Sequence, residues 1–261
     1  MTGLKNKQAI VTGGSAGIGL EMVRSLLAQG AEVTVIARDD GKLAAARDAG
    51  AQAIAGDATD AALITREIDA VDPDILILNA GARLAAKTLD RQNWDDFSAV
   101  WNTDVKATFI GIQAALNRPL RPGSRVLVTS SGAAMVMSLP AIRPEDLRMS
   151  GGYVGAKRMV WFMAHQANAV SRERGLGILF QVLVPAQLMA ATELGHAVAA
   201  AYAEAEGITI DEHILRRYGS HLAPEQVGRQ VVELLDDPAY RTGVAYGIRA
   251  GVQLMPLDWE V

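Results

Sequence analysis

Lys7-Gln8-Ala9-Ile10-Val11-Thr12-Gly13-Gly14-Ser15-Ala16-Gly17-Ile18-Gly19 decides how this chain folds. Its first half is an apolar run of strand length. From Ile18 to Gln29 the apolar positions recur at helical spacing, and Gly30 supplies a stop. Between strand and helix lie glycines, of which Gly13, Gly17 and Gly19 set the spacing. Glycines in such a turn let the backbone bend tightly and approach a ligand. The helix N-terminus adds unpaired N–H groups and the positive end of its dipole. The spacing Gly-x-x-x-Gly-x-Gly differs from the Gly-x-Gly-x-x-Gly of dinucleotide turns, yet it suits the same task, holding a pyrophosphate. The plain alternative is a glycine-rich turn that holds nothing.

The pattern repeats downstream. Strand-length apolar runs at 32–37, 51–55, 74–79, 125–131, 177–184 and 244–248 alternate with helix-period segments at 41–48, 60–70, 95–116, 153–173, 193–217 and 224–236. The 74–79 run is apolar between its ends, as strands buried on both faces are. Strands alternating with helices join by right-handed crossovers. The expected architecture is α/β, a doubly wound parallel sheet of about seven strands with helices on both faces. No linker, low-complexity stretch or repeat interrupts it, so one domain over 1–261 is expected.

Composition narrows the function classes. Of 261 residues 50% are hydrophobic, enough for a large core, and none is cysteine, which excludes disulfides, thiolate chemistry and cysteine metal sites. His165, His196, His213 and His221 show no short ligand spacing and read as ordinary surface or core residues, so no metal is expected. Net charge is −4 and the basic residues are scattered, which disfavours nucleic acid or an anionic membrane as partner. With no leader-like opening and no apolar run of spanning length, a cytoplasmic protein is the default expectation.

Tyr153-Val154-Gly155-Ala156-Lys157 carries the chemistry. A four-residue step puts Tyr153 and Lys157 one turn apart on one side of a helix. A phenol is a poor base at neutral pH, and a nearby ammonium is the group that favours its ionised form, so the pair suits proton donation and acceptance. Ser131 ends the fifth strand, where open α/β sheets place their ligands. Ser130 competes with it, since alternation along a strand turns one of the two away.

In this order and placement, residues 12–19, Asp57, Asn79-Ala80-Gly81, Ser131, Tyr153-x-x-x-Lys157, Pro185 and Thr242-Gly243 make the chain resemble the short-chain dehydrogenase/reductases over essentially its whole length. The resemblance implies a Rossmann-type fold, a nicotinamide cofactor and a small carbonyl or alcohol substrate. It implies that Ser131 holds the substrate oxygen, that Tyr153 moves the proton, and that Lys157 tunes Tyr153 and holds the nicotinamide ribose. Gly13, Ser15, Gly17, Ile18 and Gly19 would meet the phosphates, and Asp57 and Ala58 the adenine. Asn79, Ala80 and Gly81 would meet the adenine ribose, and Pro185 and Leu188 the nicotinamide. Two of these have plainer readings: the segment at Asp57 can be a helix cap built on Thr59 or Asp60, and Asn79 can tie adjacent strands. At the end of the second strand, where NAD binders usually carry a carboxylate, stands Ala37, with Arg38 next and Ser15 in the nearby turn. Arginine suits a 2′-phosphate, so NADP(H) is expected over NAD(H). The alternative is a solvated Arg38 paired with Asp39 or Asp40.

Three departures from the family pattern stand out. Asp104 falls where a catalytic asparagine is expected, and when ionised it cannot donate a hydrogen bond. The interval between Ser131 and Tyr153 is longer than usual. Its loop, 132–150, includes Met135, Val136, Met137, Leu139, Pro140 and Ile142 and is expected to wall the substrate pocket with a lid insert at 187–220. Pro185 is followed by Ala186, and the usual threonine is displaced to Thr192. The expected activity is NADPH-dependent reduction of a ketone or aldehyde with an apolar body, matching Leu188, Met189 and the loop methionines, or oxidation of the corresponding alcohol. The competing expectation is an NADP(H)-binding sensor or assembly subunit weakened at Asp104. Pairing of the helices at 95–116 and 153–173 predicts a homodimer or homotetramer. The apolar tail, 251–259, is expected to cover a neighbouring subunit or its own pocket.

Overall fold

A strand side chain alternates between the two faces of its sheet, and here each face has its own layer of helices to meet. The structure, a computed structural model, describes residues 3–135 and 148–257. The chain runs β1 (Gln8–Thr12), α1 (Gly17–Ala28), β2 (Glu32–Ala37), α2 (Asp40–Asp48), β3 (Gln52–Ala55), α3 (Ala61–Val71) and β4 (Ile75–Leu78). Then come α4 (Trp94–Val100), α5 (Lys106–Asn117), β5 (Arg125–Thr129), α6 (Tyr153–Glu173) and β6 (Leu179–Pro185). The last elements are α7 (Glu193–Glu206), α8 (Ile210–Tyr218), α9 (Pro224–Asp236), β7 (Ala245–Ile248) and β8 (Met255–Pro256). The strands form one sheet in the order β3-β2-β1-β4-β5-β6-β7-β8, parallel except for β8.

Ile10, Leu76, Val126 and Phe180 pack with Ile64 of α3, Ile110 of α5 and Val160 of α6 on one face. From the same strands Val11, Ile77, Leu127 and Leu183 pack with Val23 of α1, Leu43 of α2 and Val231 of α9 on the other. Each such side chain contributes about 1.5–3 kcal/mol by leaving water, and that is what makes the two-sided apolar strands stable here. β1 pairs with both β2 and β4, so the winding reverses between them and opens a crevice at their C-terminal ends. The α/β architecture agrees with the sequence expectation, and the sheet has one strand more than about seven. No helix among the described residues is long and apolar enough to cross a membrane.

Three elements differ from their sequence reading. Residues 95–116 are not a uniform α-helix: between α4 and α5 the chain takes a π-helical turn over Trp101–Val105. There the Trp101 indole donates to the Gly152 carbonyl at 3.1 Å, and Asp104 turns inward while Asn102 stays exposed. Such turns inside helices often mark functional sites. Residues 193–217 form two helices. α7 ends at Gly207, whose φ of 66° is left-handed, and α8 opens on a reciprocal cap between Thr209 and Glu212. The extra strand, β8, folds the tail back onto β7. Val136, Met137, Leu139, Pro140 and Ile142 of the expected substrate loop, and Asp258 and Trp259 of the tail, lie outside the described residues.

Candidate active site

β1 delivers the chain into a turn packed too closely for side chains. Gly13 has a φ of 69°, and a Cβ there would lie 2.8 Å from the Ala80 Cα. A Cβ on Gly19 would lie 2.2 Å from the Gly13 carbonyl oxygen. The Asn79 amide donates to that same oxygen at 3.2 Å, while Asn79 N–H and Ala80 N–H donate to Thr12 Oγ1 at 3.1 and 3.2 Å. Asn79 therefore ties the turn to the end of β4. Ala16, the N-cap of α1, offers no side-chain cap, so the first-turn N–H groups are left for a ligand.

The turn opens into a cavity of about 1170 Å³ along the C-terminal strand ends, and every residue assigned from the sequence to catalysis or to the cofactor lines it. One small ligand typically takes roughly 300–1,000 Å³, so this volume suits a cofactor and a substrate together. At one end, Asp57 Oδ1 accepts from Thr59 N–H at 2.8 Å, and this bond above all holds the Asp57 carboxyl below its usual range despite partial burial. The cap of α3 is a separate residue, Asp60, which accepts from Ala62 and Leu63 N–H. Arg38 is exposed at the cavity edge. Its acidic neighbours are engaged elsewhere: Asp39 caps α2 through Lys42 N–H, and Asp40 pairs with Arg47.

At the other end α6 begins at Tyr153. Its entry is fixed by the Trp101 bond to Gly152, where a Cβ would lie 2.3 Å from the Phe97 carbonyl oxygen. Lys157 Nζ lies 5.6 Å from the centroid of the Tyr153 ring and donates to the Thr129 carbonyl at 3.2 Å. It also forms an ion pair with Asp104 Oδ2 at 2.8 Å, with the two side chains 8% and 2% exposed. Asp104 Oδ1 accepts from Ala82 N–H at 2.7 Å. Burial works against the Lys157 charge, but the Asp104 carboxylate, then Tyr153, outweigh it and hold the ammonium above the usual lysine range. Ser130 Oγ is spent on the Lys157 carbonyl at 2.8 Å, tying α6 to β5. Ser131 Oγ accepts from Ala133 N–H at 3.2 Å, which leaves its own O–H to donate into the cavity.

The family model for short chain dehydrogenases matches residues 7–142, from β1 through the glycine turn, Asp104 and Ser131. The chain belongs to the short chain dehydrogenase family. It is 28% identical to 2-(S)-hydroxypropyl-CoM dehydrogenase 3 of Xanthobacter autotrophicus, over 95% of this chain and 97% of that protein. It is 30% identical to D-threitol dehydrogenase of Mycolicibacterium smegmatis over 74% of each. A short chain dehydrogenase from Burkholderia cenocepacia J2315, solved in complex with NADP, superposes with a TM-score of 0.69 at 25% identity, covering 94% of this chain and 96% of that one.

Short chain dehydrogenases are oxidoreductases that work with a nicotinamide cofactor, and the residues here fit one. The side-chain-free cradle at Gly13 and Gly19 and the uncapped start of α1 suit a pyrophosphate, and Thr129 Oγ1 is buried beside Lys157 without a partner among the described residues. In this short chain dehydrogenase the segment between β6 and α7 packs against the cradle. Thr192 caps α7 by accepting from Gly195 N–H at 3.0 Å, and its methyl carbon lies 3.7 Å from where a Gly17 Cβ would be. The tail lines the chain's own cavity through Met255, Pro256 and Leu257. Lys42, Arg83, Tyr202 and His213 also line it and were not legible as site residues. Glu193 pairs with both Lys42, at 3.0 Å, and Arg83. Nothing in the local pattern of these side chains separates them from ordinary surface or core positions.

Proposed function

We propose that this short chain dehydrogenase reduces a ketone or aldehyde with an apolar body using NADPH, or oxidises the matching alcohol with NADP+. The observation that carries this reading is the gathering of Ser131, Tyr153 and Lys157 in one cavity with the glycine cradle. The bound cofactor supplies two electrons as hydride to the carbonyl carbon. Ser131 Oγ donates a hydrogen bond to the substrate oxygen. Tyr153 gives that oxygen its proton as the alcohol forms, and takes it back in the oxidation direction. The Lys157 ammonium stabilises the tyrosinate left behind and reaches the nicotinamide ribose. Asp104 is a positioning residue that holds Nζ between the Thr129 carbonyl and the Tyr153 ring. Asp57 and Ala58 meet the adenine, and Pro185 and Leu188 the nicotinamide. Met135 and Ser150, from the described ends of the 132–150 loop, and the 187–220 lid wall the substrate side of a chain that works as one catalytic domain.

Ser15 and Arg38 are assigned to the 2′-phosphate. Among the described residues Arg38 makes no direct ion pair, although its charge helps to lower the Asp57 pKa, and the similar Burkholderia cenocepacia structure holds NADP. A charged contact of this kind is worth about 1.5–3 kcal/mol. NADPH is therefore expected to bind more tightly than NADH, and Arg38→Asp to erase or reverse the preference, as read by nicotinamide fluorescence titration. Equal affinity of the wild type for both cofactors refutes the assignment.

A second reading, an NADP(H)-binding sensor, draws on the Asp104 carboxylate that neutralises Lys157. Purified protein with NADPH and a broad panel of ketones separates the two. Oxidation of NADPH supports the reductase, and tight binding without turnover across the panel supports the sensor.

We also infer that copies of the chain assemble as a homodimer or homotetramer through α5 and α6. Phe109 of α5 and Phe162 of α6 are 50% and 56% exposed on helices that pack against each other. Light scattering at micromolar concentration is expected to give the dimer or tetramer mass, and Phe109→Glu with Phe162→Glu to lower it. A strictly monomeric wild type rules the assembly out.

A further inference from the structure

The lid wall of the cavity contains a buried histidine that the proposed chemistry does not use. His213 lies in the first turn of α8, lines the cavity, and its side chain is 5% exposed. The tight α7–α8 corner brings Glu206, the last residue of α7, against it, and Glu206 Oε2 engages His213 Nδ1 at 3.1 Å. The ring also stacks on Tyr202, with centroids 5.4 Å apart and planes 12° from parallel. Carboxylate and stack together fix the orientation of the ring, which is the usual way a protein aims a functional imidazole. The other nitrogen, Nε2, forms no hydrogen bond with any described residue. Two tyrosines line the same cavity: Tyr202 Oη accepts from Met149 N–H at 3.1 Å, and Tyr218 Oη accepts from Arg217 Nε at 3.2 Å.

A histidine that lines a ligand cavity with one ring nitrogen unused by the protein suits a polar group on the ligand. With Nδ1–H donating to the Glu206 carboxylate, Nε2 accepts in the neutral ring and donates in the charged one. A hydroxyl satisfies both states, whereas an anionic group, which can only accept, is served by the charged ring alone. We propose that His213 Nε2, aimed by Glu206, hydrogen-bonds a second hydroxyl on the substrate, remote from the carbon that reacts, so that hydroxyl-bearing ketones and the matching diols are the preferred substrate class. This rests on the carbonyl-reductase reading and narrows its substrate to a chain with an apolar middle and a polar far end.

The test uses straight-chain methyl ketones of increasing length, each with and without a terminal hydroxyl, bound to the protein saturated with NADP+. The carbonyl cannot take hydride from the oxidised cofactor, and titrations in which no reduced-cofactor fluorescence appears show that the terminal hydroxyl is not oxidised, so their calorimetry reads binding alone. At one or more chain lengths the hydroxyketone is expected to bind about tenfold tighter than its parent ketone. His213→Leu is expected to close that gap, His213→Gln to keep part of it, and Glu206→Ala to narrow it by freeing the ring. Melting temperature and NADPH affinity report whether each variant is folded, and if His213→Leu is not, the other two variants carry the comparison. No gap in the wild type, or a gap that survives these substitutions, overturns the assignment. Turnover with NADPH is scored separately: absent turnover with every ketone counts against the reductase reading, whereas the binding gap counts only for or against His213.

Discussion

Tyr153→Phe is expected to lower turnover about 10²–10⁴-fold while leaving cofactor affinity nearly unchanged. The ring still fills its place at the start of α6, 5.6 Å from Lys157 Nζ, so the cavity keeps its shape. What disappears is the O–H that would carry the proton, and positioned general acid–base catalysis is worth about that factor. Single-turnover rates with a reactive ketone, beside fluorescence titration of NADPH, separate the two effects. A variant turning over at near-wild-type rate would move the proton transfer to another group. Lys157→Ala is expected to impair binding and turnover together, because one ammonium serves both.

The second large effect concerns stability. Asp104→Ala leaves the Lys157 ammonium buried with the Thr129 carbonyl and the Tyr153 ring but no carboxylate beside it, and breaking a buried ion pair from one side costs about 3–5 kcal/mol. Urea unfolding should show that loss at neutral pH. Because the folded protein raises the Lys157 pKa above its ordinary 10.5, the stability it contributes is fully present below that value. It is lost only as pH climbs through the raised one. The difference between wild type and Asp104→Ala should therefore persist across the neutral range and shrink only in strongly alkaline solution. Asp104→Asn keeps the shape and an acceptor for Ala82 N–H but removes the charge. Burial of Lys157 is then opposed by less, its proton leaves more easily, and the pH–rate profile moves to lower pH. An unmoved profile would make the pair purely structural.

Much of this molecule is written in local pattern. The run from Lys7 to Gly19 reads as strand, turn and helix because apolar periodicity and glycine placement are properties of neighbouring residues. The parallel sheet follows from repeating that unit, and a four-residue step is enough to put Tyr153 and Lys157 on one helix side. Residues at the C-terminal ends of successive strands converge because parallel strands all end on one side, which is why scattered sequence motifs line a single cavity.

What pattern leaves open is which partner each group meets across the fold. Ser130 and Ser131 are chemically alike, and only the docking of α6 on β5 consumes the first hydroxyl and leaves the second for the cavity. Asp104 is recognisable as a departure from a family motif. Its direct pairing with Lys157 depends on the π-helical turn at Trp101–Val105, which helical periodicity alone does not reveal. His213 reads as one more histidine until the break at Gly207 folds α8 back and sets Glu206 and Tyr202 against its ring. The tail is merely apolar until β8 pairs with β7 and carries Leu257 into the cavity. The amino-acid sequence by itself determined the strands, the turns and the positions that supply chemistry, since these depend on spacing along the chain. The tertiary structure decided charge neutralisation, hydrogen-bond partners and pocket walls, because these depend on distances between residues far apart in sequence.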